Sequence, residues 1–290
     1  MQQFDVSRRL TRRHFLLMAP LLSACLAATP TPQPPQASTA TPSPTKRPTQ
    51  TQTPTQAPSP KPKTPKTLVA LVFGQSNAGS WGESKRTAGP NVQVFYKGKY
   101  SRAADPLLNT DGDRGSVWTR LGDKLIAAKL YDKVIFVPFS RGGTEIVRWG
   151  PKGDLNGLLM DTIRDAQKNK LVFTHLLWHH GEADNRLKTS AEIYKKEFLG
   201  MVKLIRDAGV NAPLFVATAT LCSEFEINPA LRKAQTDVIS PKQNILAGPD
   251  TDTLSRDLRH DWCHFNDKGL EQHADLWLAI LKQHAQTATP

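Results

Sequence analysis

The chain has 290 residues and a formal net charge of +12, with 22 Pro, 18 Gly and three Cys. The charge is unevenly placed: residues 1–25 contribute +3 and residues 26–66 another +5, which leaves +4 for the remainder. An ordinary balance over the part able to fold removes most of the support for a nucleic-acid binder.

Taken from the start, Arg8-Arg9 and Arg12-Arg13 precede a short apolar run from Phe15 to Leu22, broken by Pro20, and then Ser23-Ala24-Cys25. This predicts an export signal over residues 1–25, too short to span a bilayer as a permanent helix. Thr11-Arg12-Arg13-His14-Phe15-Leu16 resembles a twin-arginine signal, and Leu22-Ser23-Ala24-Cys25 resembles a bacterial lipobox. The second resemblance implies lipidation of Cys25 and anchoring on the outer face of the cell membrane; cleavage nearby by an ordinary peptidase is the alternative. Residues 26–66 are mostly Pro, Thr, Gln, Ser and Ala, with no acidic and no aromatic residue. Such a segment cannot bury enough apolar surface to fold and predicts a disordered tether, with a reach on the order of 100 Å if extended.

Residues 67–290 suit one α/β domain with a single sizeable core. Six apolar residues in succession, Leu68 to Phe73, predict a strand buried on both faces, as in parallel sheets. Val92 to Tyr96 predicts a second strand, and a Gly/Asp-rich loop ends at Ser116, the expected N-cap of a helix with Trp118, Leu121, Leu125, Ile126 and Leu130 on it. Then the elements alternate. Strands are predicted at Val134 to Val137, Leu171 to Trp178, Leu214 to Ala219 and Asn244 to Ala247, and helices at Leu155 to Gln167, Ala191 to Ala208, Pro229 to Ile239 and Asp267 to His284. Alternation means parallel pairing with right-handed crossovers, hence an α/β fold: a flavodoxin-like three-layer α/β/α sandwich on a mainly parallel sheet.

Polar and glycine-rich groups follow the predicted strands: Gly74-Gln75-Ser76-Asn77, Arg141-Gly142-Gly143-Thr144, Trp178-His179-His180-Gly181-Glu182-Ala183-Asp184, Cys222, and Asp261-Trp262-Cys263-His264-Phe265-Asn266. The carboxyl edge of an open α/β sheet is where ligands bind. Ser76 can act there as a nucleophile, or merely cap the next turn. Asp261 and His264, three apart, can set a carboxylate under one imidazole nitrogen while the other faces Ser76, against the alternative of a capping Asp and a surface His. Gly142 and Gly143 let a backbone amide approach an oxyanion, or simply form a turn. Glu182 and Asp184 lack the accompanying spacing of a closed metal site, so no metal or cofactor is expected. Of His179 and His180, alternation sends one to the site and one to the core. His175, His260, His273 and His284 are read as structural or exposed. Ala78 in place of the last glycine of Gly-x-Ser-x-Gly argues against a lipase-type α/β-hydrolase.

Together, Gly-Gln-Ser-Asn, Gly-Gly-Thr-Glu-Ile-Val-Arg-Trp, Trp-His-His-Gly-Glu-Ala-Asp and Asp-Trp-Cys-His-Phe resemble the SGNH-hydrolase group that contains sialate O-acetylesterases and the carbohydrate esterase family 6 acetylxylan esterases. The resemblance spans nearly all of residues 68–282. It implies a serine esterase that removes O-acetyl groups from carbohydrate, with Ser76 as nucleophile, His264 as base, Asp261 as its partner, and the Ser76 and Gly142 amides in the oxyanion hole. Gln75, Asn77 and Gly143 fall beside the same site. The family pattern reads Trp-His-Gln-Gly-Glu, and His180 stands where the glutamine would be, so either His180 donates from a ring nitrogen or the hole is weaker. Glu182 matches the family's glutamate and competes with Asp261 to orient His264. Trp81 and Trp149, near two of the loops, either stack on a sugar ring or belong to the core. An acetylated carbohydrate and, through Cys25, the membrane are the expected partners; a catalytically inactive carbohydrate-binding lipoprotein is the rival reading. Cys222 and Cys263 are a natural pair in an exported chain and would close a loop of about 42 residues, worth roughly 4 kcal/mol. Export of an already folded chain would leave them as free thiols.

Overall fold

The computed structural model describes residues 66–287. The expected signal segment, Cys25 and nearly all of the tether lie outside the described residues. Within them, no helix is long and apolar enough to cross a membrane.

The apolar run from Leu68 forms β1 (Thr67–Gly74), buried along its length after Thr67. It lies at the centre of a seven-stranded sheet with β2 (Val92–Tyr96), β3 (Lys99–Arg102), β4 (Lys133–Ser140), β5 (His175–His179), β6 (Leu214–Thr218) and β7 (Ile245–Asp250), in the order β3-β2-β4-β1-β5-β6-β7. All neighbours pair in parallel except β2 and β3. Residues of β1 alternate between two cores, as a strand covered on both faces must. Val69, Leu71 and Phe73 join the side chains of α2 (Asp154–Lys168), α4 (Ala191–Asp207) and α5 (Pro229–Asp237), whereas Leu68, Ala70 and Val72 join those of α1 (Val117–Ala127) and α6 (Asp267–Thr287). This is the expected three-layer α/β/α sandwich.

The differences are local. β3 presents no buried residue and so carries no apolar alternation to read; it is held by pairing across the two-residue turn Lys97-Gly98, both with positive φ. The strand expected from Leu171 starts at His175, because the ladder partner on β1 begins only at Ala70. Leu171 and Phe173 still enter the core, but from irregular chain. Ser116 precedes α1 without capping it: its hydroxyl donates instead to Asp105, at 2.6 Å.

Placement of the site follows from strand order. From β1 the chain crosses to β2 and β4 on one side and only then to β5 on the other, so the carboxyl end of β1 lies at the switch point where open sheets leave a crevice. Gly74 ends the strand with φ +135°, and a Cβ there would stand 1.9 Å from the His179 carbonyl oxygen. Only glycine lets β1 turn this close to β5. The next residue, Gln75, donates its amide to that same carbonyl at 3.1 Å, and Ser76 opens a single 3-10 turn, Ser76–Ala78.

Candidate active site

A cavity of about 380 Å³ opens over this turn, lined among others by Gln75, Ser76, Trp81, Gly142, Glu182, Arg186, Asp261 and His264. His264 is set by its own segment. Asp261 Oδ2 accepts from the imidazole Nδ1 at 2.6 Å, and Oδ1 accepts from the backbone amides of His264 and Cys263 at 2.7 and 3.1 Å. The carboxylate therefore grips both ring and backbone, which leaves Nε2 as the nitrogen free for chemistry. Burial acts to raise the Asp261 carboxyl, but the bonds from His264 outweigh it, and its pKa lies below the ordinary value. Trp81 stacks on the imidazole with ring centroids 5.1 Å apart and an interplanar angle of 23°. Its carbonyl faces His260 Nε2 at 3.0 Å, so one loop holds two histidines. Among the described residues no hydrogen bond joins Ser76 to His264; both line the same cavity.

Glu182 does not meet His264. It begins α3 (Glu182–Leu187), a short helix absent from the sequence expectations, and its Oε1 lies 2.8 Å from His179 Nε2 and 2.9 Å from Asn77 Nδ2. Burial acts to raise its carboxyl, but the His179 imidazole and the Asn77 amide hold it well below the usual range. Asn77 also donates to the Cys263 carbonyl, at 3.3 Å. It thus ties the Ser76 turn to the His264 segment and, contrary to the expectation for Asn77, takes no place in the lining of the cavity. Gln75 does line it. Its Oε1 accepts from the amides of Gly181 and Ala183 at 3.2 and 3.0 Å, which directs the side-chain NH2 elsewhere.

The oxyanion hole departs from expectation in two ways. The Gly142 amide donates to Asp111 Oδ2, so it is occupied rather than free. A Cβ on Gly142 would stand 2.9 Å from that carboxylate and 3.2 Å from Ser76 Cβ, so the backbone at Gly142 passes close beside the serine, as expected of a close backbone approach. Gly143 lines the cavity next to it. His180 does not face the site at all. It is fully buried and stacks on Trp178 at 4.8 Å, with Asp184 Oδ2 at 3.2 Å from Nδ1. Burial lowers His180 to about 3 and raises Asp184 to about 7, so this contact is neutral and not an ion pair. His179 is buried as well, so neither imidazole of the pair faces the cavity as alternation suggested. Trp149 is likewise fully buried, in the core beside Trp178. Trp81 spends its ring on His264.

These buried groups carry a pH signature. Burial lowers His175 to about 4, His180 to about 3, and His273 well below its ordinary value. Unfolding lets all three take up protons at pH below about 6.5, so their contribution to stability is lost as the solution is acidified. Asp184, raised by burial to about 7, holds a proton when folded and releases it on unfolding, and Asp105, which burial shifts in the same direction, adds at most a second opposing proton. Three outweigh two. The urea midpoint is therefore expected to rise between about pH 4.5 and 6.5, more steeply in Asp184→Asn, which lacks one opposing proton. A flat or falling wild-type midpoint would contradict this.

Cys222 and Cys263 are joined by a disulfide across a sequence separation of 41, both lining the cavity. It fastens the residue next to His264 to the loop after β6. Reduction is expected to lower stability by roughly 4 kcal/mol. Thiol titration of the denatured, unreduced protein made without residues 1–65 should find no free thiol, and two per chain would refute the bond.

Only one group of three among the described residues could share a cation, His260, Asp261 and His264, with ligand atoms within 4.8 Å of one another. Asp261 and His264 are already committed to each other, and His260 to the Trp81 carbonyl.

Known structures share this fold. A protein from Arabidopsis thaliana superposes with a TM-score of 0.62 at 17% identity, over 78% of this chain and 100% of that one. NanS gives 0.56 at 16% identity, over 78% and 99%. A carbohydrate acetylesterase from Xanthomonas citri gives 0.50 at 15% identity, over 77% of this chain and 57% of its own. No curated protein sequence matches. The model of the family described as carbohydrate esterase, sialic acid-specific acetylesterase, matches residues 66–278. That span contains every element from β1 into α6, the serine at the switch point and the Asp261–His264 pair, and the chain accordingly belongs to this family of carbohydrate O-acetylesterases.

Proposed function

We propose that the chain is a surface-anchored serine esterase that removes acetyl groups from a sugar hydroxyl, with Ser76, His264 and Asp261 as its catalytic residues. The observation that carries this reading is the Asp261–His264 bond at 2.6 Å, in a cavity shared with a serine at the carboxyl end of the central strand. Ser76 Oγ attacks the acetyl carbonyl carbon, its proton passes to His264 Nε2, and the carbonyl π pair moves onto oxygen. Collapse of that oxyanion breaks the bond to the sugar oxygen, which leaves with the proton from His264. Water, deprotonated by the same imidazole, then releases acetate from Ser76. The Ser76 amide and the Gln75 NH2 are the donors at hand for the oxyanion, and the Gly142 amide joins them once the Asp111 carboxylate turns aside.

The lipobox-like Leu22-Ser23-Ala24-Cys25 and the Pro/Thr-rich segment support anchoring by a lipid on Cys25, with the esterase held away from the membrane. The cavity suits an O-acetylated sugar, from sialic acid or an acetylated polysaccharide. Hydrolysis of p-nitrophenyl acetate by the wild type, set against Ser76→Ala, tests the reading. Activity no higher than that of the variant would instead favour a binding protein on an esterase fold.

A further inference from the structure

We infer that Trp262 is a carbohydrate-binding platform at the rim of the active site, taking the apolar face of a pyranose ring of the acetylated substrate. The inference rests on the esterase reading for its ligand and on Trp262 itself for its location.

Of the described aromatic side chains, five of the six tryptophans are spent inside the protein or against the catalytic base. Trp118, Trp149, Trp178 and Trp277 are fully buried, and Trp81 lies on His264. Trp262 is 63% exposed. Leaving so large an apolar ring in water forgoes the burial that stabilises its counterparts. An isolated exposed aromatic needs no explanation by itself. The setting supplies one here. Trp262 stands between Asp261 and Cys263, both of which line the active-site cavity, and it has φ +69°. For a non-glycine residue this left-handed conformation is costly and persists where the surroundings enforce it, often at functional sites.

The enforcing contacts are all present. Asp261 is bound to His264, Cys263 is bonded to Cys222, and the Cys263 carbonyl accepts from Arg259 Nη1 at 2.5 Å. The Trp262 carbonyl accepts from the Ser223 amide at 3.0 Å. The backbone under the ring is thus fixed by four ties. The ring is steadied by the Arg256 guanidinium, 5.9 Å from its centroid, which is itself paired with Glu226 at 2.7 Å. A rigid aromatic costs little entropy when it binds. Sugar rings carry an apolar face of C–H groups suited to such a surface, and the acetyl group of a sugar resting there would be within reach of a cavity only one residue away along the chain. Arg186 and Ser223, which line that cavity, offer polar partners to the hydroxyls.

The test separates binding from hydrolysis. The full-length protein carrying Ser76→Ala is titrated with O-acetyl sialic acid and with acetylated xylan oligosaccharides, with and without Trp262→Ala, and binding is followed by calorimetry. Trp262→Ala is expected to weaken the tighter of the two ligands about tenfold or more, with Trp262→Phe retaining most of the affinity. In the Ser76 background, kcat/KM of Trp262→Ala for the carbohydrate should also fall at least tenfold further than for p-nitrophenyl acetate, which has no sugar ring, when serine is restored. Equal binding by the Trp262→Ala protein, or an equal fall on both esters, would overturn the platform. Failure of the esterase reading shows elsewhere, as equal turnover by the wild type and Ser76→Ala, while the binding comparison still decides the role of Trp262.

Discussion

Replacing Ser76 by alanine is expected to lower kcat for acetate release by three orders of magnitude or more, with the fold retained. The side chain is small and 5% exposed, and no hydrogen bond of its hydroxyl supports the structure among the described residues, so alanine leaves little behind except the missing nucleophile. His264→Ala should produce a loss of similar size, because the serine is a poor nucleophile without its base. The double variant should be scarcely worse than either single one, since residues that act as a unit are not additive. Steady-state kinetics on p-nitrophenyl acetate, with circular dichroism to verify folding, measures this. Retention of more than about a tenth of wild-type activity in either variant would contradict the roles proposed.

The second large effect distinguishes two carboxylates. Asp261→Asn should cost on the order of 10²- to 10⁴-fold in kcat, because an amide cannot stabilise the imidazolium and favours the wrong tautomer. Glu182→Gln should act on the fold. Its carboxylate is buried against His179 and Asn77, and loss of a buried charge from such a pair is destabilising by several kcal/mol. The expected outcome is a lower melting temperature for Glu182→Gln with kcat of the folded fraction within tenfold of the wild type. If Glu182→Gln were folded and inactive while Asp261→Asn stayed near wild type, the assignment of Asp261 would be wrong.

Why the sequence could be read this far is a matter of which signals are local. The β1 run, the apolar stripes of α1 and α4, and the strand–helix alternation carry their information in adjacent residues, and the sandwich followed from them. Asp261 and His264 are three residues apart in one loop, so their contact could also be anticipated. Glu182 could not be separated from Asp261 in the same way. Its partner is settled by β5, which turns His179 toward it, and by Asn77, 105 residues away in the chain. The fate of His180 was equally hidden: period-two alternation ends with β5 at His179, and the tight turn at Gly181, φ +140°, sends both imidazoles inward. Asp111 lies in a loop without periodicity, and only the folded chain brings its carboxylate to the Gly142 amide. Trp262 was in view as part of the Asp-Trp-Cys-His motif, but a sequence does not say which tryptophan a core leaves outside.

The central claim, an O-acetylesterase that works through Ser76 on carbohydrate, is tested most directly by acetate release from a panel of O-acetyl sialic acid, acetylated xylan and O-acetylated peptidoglycan. Wild type and Ser76→Ala are assayed side by side at equal concentration. The account predicts that the wild type frees acetate from at least one of these substrates and that the variant does not do so above the uncatalysed rate. Equal release by both proteins, or none from any of the three by a folded wild type, would contradict it.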